Sequence, residues 1–452
     1  MNQMIQTFRN AWKIADIRKK ILFTLFIVLI YRVGANLYVP FVDTDQLLFV
    51  KTYQNAMSAG IFQLVNMFSG GAFEQATLFA LSVSPYITAS IVMQLLTIAI
   101  PYLENLSKEG EEGKKKINAY TRGVTAILAL ITAFGYVTML NSYGCLAVSK
   151  SDGALYYFAY VVMIACFCAG AAIIMWMAER INERGIGNGI SIILFANIIS
   201  RGSTMVTALI ALLKNANGQF LTGWKLALGI LWIILFVAVS VAVVGLIVWF
   251  TNSEERIRIQ YAKKVVGRKM YGGQTSNLPL KMNMAGVMPI IFASSIVSIL
   301  PTVANFFGES NGFRKFVTNY LGTNTPVYIF LYLVFLFLFS YFYIMISFNP
   351  VEVANNLQQN GGAVPGIRPG RPTVAYITKI LNRITLLGAL FLIVLSGVPM
   401  IVNAVWYSID GYGLSELAFS GSSLLIVVGV ALETFRELEA QMTLRNYKGF
   451  LD

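Results

Sequence analysis

The sequence predicts an all-α polytopic membrane protein. Its composition and its recurring long apolar runs both indicate this fold class. Of its 452 residues, 57% are hydrophobic and 12% are charged, whereas soluble domains carry about 25% charged residues. A helix needs about 20 apolar residues to cross a bilayer, and runs near that length recur along the chain. We count ten, at residues 21–38, 85–101, 124–140, 155–177, 190–200, 226–250, 285–307, 327–348, 377–402 and 423–438.

The distribution of positive charge sets the orientation. Most of the 34 Lys and Arg residues lie before the first run or after an even-numbered run. The positive-inside rule therefore places both termini in the cytosol, and the same asymmetry accounts for most of the net charge of +13. Residues 1–20 place Ile5, Phe8 and Trp12 near one helical face, which predicts an amphipathic helix lying on the inner leaflet.

Before the second span, glycine and polar residues interrupt the apolar pattern in the sequence FSGGAFEQATLFALSVSPYI, at residues 68–87. We call this segment the broken stretch. It contains Gly70 and Gly71, the polar residues Glu74 and Gln75, and Pro85. Taken alone, this pattern fits a kinked start of a span below an amphipathic outer loop. A lipid-exposed irregular backbone is not tolerated in a bilayer, so such a stretch must pack against protein or line a cavity.

Missing residue types argue against an enzyme or an ion-coupled carrier. The chain has no His, its carboxylates lie outside the apolar runs or, like Glu433, towards their cytosolic ends, and Arg32 is the cation that falls well inside one. Intramembrane ionisable residues usually mark proton relays and carriers. No phosphate-binding loop is present either: residues 110–116 and 185–189 are Gly-rich but lack its spacing. We therefore expect no catalytic residues, no cofactor and no metal, and a partner must supply any energy.

Two cytosolic segments, 251–283 and 349–383, are longer than a connector needs to be. In the first, charged and apolar residues alternate with the period of a strand, which predicts a β-hairpin with its tip near Gly267. Basic residues cluster there: Lys263, Lys264, Arg268 and Lys269. The cluster fits either a solvated loop that enforces topology or a docking finger for an anionic surface such as ribosomal RNA.

The second segment contains NGGAVPGIRPGRPT, at residues 360–373. Its three prolines restrict the backbone and lower the entropy of the free loop. Arg368 and Arg371 are therefore presented in fixed positions, which favours a binding role over simple solvation.

Four motifs in register closely resemble the SecY family, the channel subunits of bacterial Sec protein translocases. They begin at residues 66, 179, 278 and 355 and read NMFSGGAFEQATLFALSVSPYITASIVMQLL, ERINERGIGNGISIILFANI, LPLKMNMAGVMPIIFASSI and NNLQQNGGAVPGIRPGRPT. The resemblance runs over nearly the whole chain. It implies ten transmembrane helices in two inverted five-helix halves around a central pore, residues 1–201 and 224–452, joined by an outer hinge loop at 202–223.

The resemblance also assigns roles to individual residues. It implies a re-entrant plug helix at about residues 60–80, with 69–71 as a flexible point, including Phe62, Asn66, Met67, Phe68, Ser69, Gly70, Gly71 and Phe73. It implies an apolar ring at the waist of the pore, formed by Val83, Ile87, Ile190, Leu194, Ile291 and Ile426. It places Gln94, Asn283 and Met284 on the helices of a lateral gate, between spans two/three and seven/eight.

The function that follows is a protein-conducting channel in the bacterial plasma membrane. Unfolded secretory polypeptides would cross it, and apolar segments would leave sideways into lipid. The implied partners are the small subunits SecE and SecG, the SecA ATPase, the ribosome, signal sequences and nascent chains, and membrane lipid. The alternative is a secondary transporter with inverted repeats, which fits the span count but lacks a midplane ionisable residue and leaves the basic loops unexplained.

Overall fold

The computed structural model describes residues 9, 11–43, 66, 68–148, 153–211, 213, 224–261, 264–266, 269–271, 275–304, 312–322, 325–410 and 421–448. In this part of the chain, a helix lies at each of the ten predicted runs. The elements in chain order are α1 (Ala15–Gly34), α2 (Ser84–Ala99), α3 (Pro101–Lys108), α4 (Glu111–Ser142), α5 (Ala154–Arg184), α6 (Gly189–Ser200), α7 (Gly202–Ala211), α8 (Trp224–Asn252), β1 (Glu254–Tyr261), β2 (Lys264–Val266), β3 (Lys269–Tyr271), β4 (Thr275–Lys281), α9 (Met288–Ala304), α10 (Gly312–Tyr320), α11 (Pro326–Ser347), α12 (Pro350–Gln359), β5 (Gly362–Ala363), α13 (Arg371–Asp410) and α14 (Gly421–Lys448).

Five of the described helices are long and apolar enough to cross a membrane: α4, α5, α8, α11 continued by α12 (Pro326–Gln359), and α13. A sixth span results if α2 and α3, which are bent by 100° at Pro101, count as one. The fifth predicted run is the short helix α6, which is followed after Arg201 by α7. Ten spans therefore stay a prediction, because the remaining helices are short or carry charged ends.

The helices pack as two groups that meet along two seams. In the N-terminal half, α4 contacts α2 and α5, while α1 contacts α5 and α6. In the C-terminal half, α11 contacts α9 and α13, and α14 contacts α8 and α13. The halves meet where α9 contacts α2 and α4, and where α6 contacts α14. The proposed hinge begins in α7, and residues 212 and 214–223 lie outside the described residues.

The predicted β-hairpin is confirmed. Strand β1 pairs antiparallel with β4, and β2 pairs antiparallel with β3, with Val266 opposite Lys269 in the register. Ile257 and Ile259 are buried, as the alternation predicts. A third strand, β5, comes from the other cytosolic segment and pairs with β1, so the two segments form one three-stranded sheet. Buried apolar residues under this sheet, including Leu280, Val364 and Ile377, anchor it to α12 and α13.

Close backbone contacts fix the broken stretch against the N-terminal half. A Cβ at Gly170 of α5 would lie 1.9 Å from the carbonyl oxygen of Leu78, and one at Gly34 would lie 2.1 Å from the ring of Phe79. The Phe79 ring also stacks on Tyr31, with the ring centroids 5.4 Å apart. Because Gly34 and Gly170 have no side chain, the broken stretch can pack directly against α1 and α5.

We predict that Gly170→Ala destabilises the protein by about 1–3 kcal/mol, as overpacking of a filled interior typically does. The added methyl group meets a backbone oxygen, which cannot turn away like a side chain. The midpoint of thermal unfolding in detergent should fall. Gly245→Ala is the matched control, because nothing lies within 4 Å of its Cβ position. Equal midpoints for Gly170→Ala and the parent protein would contradict this packing.

Candidate functional site

The six residues of the implied waist ring lie in one apolar cluster. Val83, Ile87, Leu194, Ile291 and Ile426 are buried members, each at most 7% exposed, and Ile190 packs against them. They come from α6, α9 and α14 and from the start of α2, so both halves contribute. The cluster also contains Ala72 and Phe79 of the broken stretch. All six therefore belong to one large apolar cluster, which also includes residues of the region implied to be the plug.

The Gly-rich turn GIGNG determines where α6 starts. Asn188 caps the helix, and its side-chain oxygen accepts hydrogen bonds from the backbone N–H groups of Ile190 at 3.1 Å and Ser191 at 3.4 Å. Gly189 must be glycine, because a Cβ there would lie 2.1 Å from the carbonyl oxygen of Ala178. The turn therefore positions the first ring residue of α6 tightly against α5.

The plug stretch, defined here as residues 66 and 68–83, is held by hydrogen bonds to its backbone carbonyl groups. The carbonyl oxygen of Phe68 accepts from Asn197 Nδ2 at 2.6 Å and from Ser82 Oγ at 2.9 Å. Asn197, on α6, has no solvent-exposed surface. The amide of Asn197 therefore satisfies a carbonyl that lipid cannot.

A second carbonyl group, that of Gly70, also faces donors from the N-terminal half. Its oxygen accepts from Arg32 Nη1 and from Ser200 Oγ, each at 3.4 Å. The φ of Gly70 is +67°, and a Cβ there would lie 2.9 Å from Ser200 Oγ. Arg32, predicted to lie well inside the first span, instead occupies the last turn of α1. That helix ends at Gly34, four residues before the apolar run does.

Within the plug stretch, Asn66 and Glu74 form a reciprocal pair. Asn66 Nδ2 donates to Glu74 Oε2 at 2.7 Å, and the Glu74 N–H donates to Asn66 Oδ1 at 3.2 Å. Ser69 Oγ donates to the Asn66 carbonyl at 3.1 Å and accepts from the Phe73 N–H at 3.0 Å. The polar residues that interrupt the apolar pattern thus fold the stretch on itself.

The far end of the plug stretch is fixed to other parts of the N-terminal half. The hydroxyl of Tyr136, on α4, donates to the carbonyl of Phe73, and the two rings lie 4.4 Å apart between centroids. The Leu78 N–H donates to the Leu37 carbonyl at 2.8 Å. Both partners, Tyr136 and Leu37, belong to the N-terminal half.

The shape of the plug stretch differs in detail from the expected helix. Among the described residues, 66 and 68–69 are helical and 70–83 form successive turns. Positive φ angles at Gly70, Gly71, Ala76 and Ser82 explain why the helix does not continue. The expected flexible point at 69–71 is a hydrogen-bonded turn in which Ser69 and Gly70 are buried. Phe62 and Met67 lie outside the described residues.

The seam between α9 and the pair α2 and α4 coincides with the implied lateral gate. Gln94 lies on α2, where its Nε2 donates to Ser90 Oγ at 3.4 Å. Asn283 and Met284 were expected on a gate helix, and this is wrong: they lie in the turn between β4 and α9. The helix begins at Met288, because Gly286 adopts a positive φ of 61° and breaks the chain direction.

The second basic segment is rigid around Arg368. The turn at residues 364–367 closes with the Ile367 N–H donating to the Val364 carbonyl at 3.0 Å, and Val364 is buried under the sheet. On the other side, Thr373 Oγ1 donates to the Arg368 carbonyl at 2.9 Å. Between these anchors Arg368 is exposed, and Arg371 is the exposed first residue of α13.

The basic hairpin is described only in part. Lys264 and Lys269 begin β2 and β3, while Lys263 and Arg268 lie outside the described residues. At the base of the sheet, burial lowers the pKa of the Lys281 ammonium below its ordinary value, and the nearby Arg436 adds to the lowering. Arg436 itself donates to Asn252 Oδ1 at 2.8 Å, which joins α14 to the end of α8.

Sequence reasoning missed the polar residues that hold the plug stretch. Asn197 stands alone in the run ISIILFANIIS, and a buried amide in such a span usually bonds to a neighbouring segment. That signal could have identified it. Ser82 and Ser200 gave no comparable signal, because Ser in a helix or turn often bonds to its own backbone.

The chain matches known proteins over nearly all its length. The SecY family model matches residues 77–435. The chain is 42% identical over 459 residues to the protein translocase subunit SecY of Streptomyces galbus, covering 99% of this chain and 100% of that protein. It is 41% identical over 451 residues to the subunit of the same name from Thermus thermophilus, covering 99% and 98%.

Solved structures share the fold at lower identity. One, described as the structure of a protein conducting channel, has a TM-score of 0.57 at 15% identity, over 94% of this chain and 92% of that chain. Another, Sec61 in the canine ribosome-channel complex from the endoplasmic reticulum, has a TM-score of 0.53 at 13% identity, with the same coverage. With the family match and the close relatives, these findings establish that the chain belongs to the SecY family.

Proposed function

We propose that this chain is the channel through which a Sec translocase passes unfolded secretory polypeptides across the bacterial plasma membrane. The observation that carries the proposal is the apolar cluster that contains the six proposed ring residues, from both halves, together with the adjoining stretch that is hydrogen-bonded to one half. The names of the close relatives and the shared channel fold support it.

In the resting state, the ring and plug together close the pore. A constriction lined by isoleucine, leucine and valine repels water and so blocks ions. The plug stretch adds a layer of packed protein on one side of the ring, and its polar backbone groups are satisfied internally. No reacting group is needed for this task, and the ring residues have none.

Opening requires the two halves to move apart. The donors to the plug stretch, Arg32, Tyr136, Asn197 and Ser200, lie in the N-terminal half. The stretch also shares an apolar cluster with residues of the C-terminal half such as Ile291, and apolar contacts are non-directional, so they can separate. The plug stretch therefore stays with the N-terminal half at first, and its hydrogen bonds set the cost of displacing it.

Sideways release would occur at the seam where α9 meets α2 and α4. These helices touch without a loop between them, so separating them opens the pore to lipid. An apolar segment then gains about 0.3–0.6 kcal/mol per Leu, Ile, Phe or Val on entering the bilayer, whereas each charge costs several. Sorting between export and membrane insertion is thus a partition between water and lipid.

The cytosolic sheet and the Arg368 loop form the proposed docking side for SecA and the ribosome. Structures of the same fold are described in complexes with ribosomes, from dog and from yeast. SecE and SecG would complete the membrane complex. Both termini and the basic segments would then face the cytosol, as the positive-inside rule requires.

We expect that replacing Ile87 and Ile190 together with Ser makes the resting channel leak ions, because polar side chains keep the waist wet. Single-channel currents in planar bilayers provide the measurement. The matched control replaces Ile131 and Ile173, which are 45% and 38% exposed, and should stay tight. Resting currents equal to the parent's in the first variant would count against the ring.

Asn197→Leu tests whether the hydrogen bond from Asn197 to the Phe68 carbonyl keeps the plug stretch in its closed position. Losing one buried hydrogen bond costs about 1 kcal/mol, which should raise the ratio of open to closed channels roughly fivefold. Open probability in bilayers measures this ratio. Ser340→Ala is the control, because that buried hydroxyl donates within its own helix, to the Leu336 carbonyl. A folded Asn197→Leu variant with unchanged open probability would show that the bond does not hold the closed state.

Arg368→Glu should abolish most SecA-driven export, with Arg368→Lys milder, because a fixed guanidinium makes bidentate contacts that Lys cannot reproduce. Translocation ATPase activity and protection of a preprotein in vesicles are the measurements. Lys115→Glu, the same charge change at an exposed position of α4, is the control. Normal export by Arg368→Glu would shift the docking role to the hairpin around Arg268.

A further inference from the structure

The side chains that hold the start of the plug stretch bind its main chain. Asn197 Nδ2 donates to the carbonyl oxygen of Phe68 at 2.6 Å. Arg32 Nη1 and Ser200 Oγ both donate to the carbonyl oxygen of Gly70, each at 3.4 Å. Every residue of every polypeptide carries such a carbonyl group. These three side chains, which we call the carbonyl seat, therefore bind a feature that does not depend on sequence.

Asn197 lies on the same face of α6 as two of the proposed ring residues. Ile190, Leu194 and Asn197 occupy positions i, i+4 and i+7 of the helix, so their side chains share one face. Asn197 therefore stands about one turn beyond Leu194, next to the ring. In the closed protein the plug stretch covers it, and it has no exposed surface. Once the plug stretch leaves, Asn197 borders the path that leads through the ring.

Asn197 also has hydrogen-bonding capacity that the plug stretch leaves unused. Its Oδ1 is buried and accepts no hydrogen bond from the described residues. This oxygen lies 3.0 Å from the position that a Cβ of Gly70 would occupy, so it faces the plug stretch. Its Nδ2 makes a second, longer hydrogen bond to Ser82 Oγ at 3.4 Å. A side-chain amide that both donates and accepts matches the C=O and N–H groups of a peptide chain.

On the basis of the function proposed above, we propose that the carbonyl seat binds main-chain carbonyl groups of the translocating polypeptide after the plug stretch has left it. In an extended chain the side chains point to alternate faces and the peptide groups project sideways, so a carbonyl can reach Asn197 whichever residue carries it. The plug stretch and the polypeptide are then alternative occupants of one seat. Because one such hydrogen bond contributes little net free energy in competition with water, the seat slows the chain without arresting it.

The experiment measures how fast a stalled polypeptide slides back out of the channel. A preprotein with a folded C-terminal domain is driven by SecA into vesicles that contain the purified translocase complex, until the domain blocks further movement. ATP is then removed, and loss of the protease-protected segment is followed with time. Asn197→Leu should accelerate sliding about fivefold, as expected for the loss of one hydrogen bond of typical strength.

Ser200 provides a second pair of variants and Ser240 a control. Ser200→Ala should accelerate sliding by a smaller factor, because its hydrogen bond to the Gly70 carbonyl is longer. Ser200→Thr keeps a hydroxyl and should slide like the parent. Ser240→Ala should also match the parent, because that hydroxyl donates within its own helix, to the Phe236 carbonyl. If Asn197→Leu fails to assemble, equal rates for Ser200→Ala and Ser200→Thr would overturn the proposal.

Two preproteins test whether the seat binds the main chain. In one, the segment stalled in the pore is rich in Gly and Ser, and in the other it is rich in Gln and Asn. Asn197→Leu should accelerate the sliding of both by the same factor. Acceleration confined to the segment rich in Gln and Asn would show that the seat binds side chains, and it would overturn the proposal.

The direction of the change separates this role from the hold on the plug stretch. If Asn197 served the plug stretch alone, Asn197→Leu would weaken the occupant that returns when the polypeptide leaves, and sliding would be unchanged or slower. Either result, with a parent complex that exports the preprotein, would overturn the carbonyl seat and leave the proposed channel function intact. A parent complex that takes up no preprotein would overturn both.

Discussion

The structure depends on satisfying the backbone of an irregular stretch inside a membrane-embedded bundle. Residues 70–83 form turns rather than a helix, so their carbonyl and N–H groups need partners that lipid cannot supply. Asn197 supplies one at the start of the stretch, 2.6 Å from the Phe68 carbonyl. Arg32, Ser200 and Tyr136 supply others. Without them the stretch could not stay packed beside the waist ring.

The hydrogen bonds to the plug stretch are strong enough to keep the channel closed and weak enough to let it open. A buried hydrogen bond contributes about 0.5–1.5 kcal/mol net, so a few of them hold the stretch without locking it. The apolar contacts between the halves are non-directional, and they can re-form around a different surface. A channel that admits many unrelated polypeptides needs contacts of this kind, because a specific polar interface would favour one substrate.

The side of the molecule that carries the β-sheet follows a different principle, in which loops are fixed by pairing and hydrogen bonds. The two long segments are joined through the pairing of β5 with β1, and buried residues beneath the sheet anchor both to α12 and α13. Arg368 is thereby held between a closed turn and a side-chain hydrogen bond from Thr373. A partner that docks here meets a preformed surface and loses little entropy on ordering it. The loop leads directly into α13, which packs on α11 and α14.

The sequence by itself determined the membrane class, the positions of the ten apolar helices and the β-hairpin, because these features depend on local composition and period. The resemblance also implied the waist ring, which stays a prediction; its six residues lie in one large apolar cluster. What only the tertiary structure decided was the contact between distant segments. The pairing of β5 with β1 leaves no sequence period in a two-residue strand. The resemblance placed Asn283 on a gate helix, but the positive φ of Gly286 delays the start of α9 to Met288. The bonds from Asn197 and Arg32 to the plug stretch join residues up to 129 positions apart, and such pairs are fixed by packing, which no local pattern records.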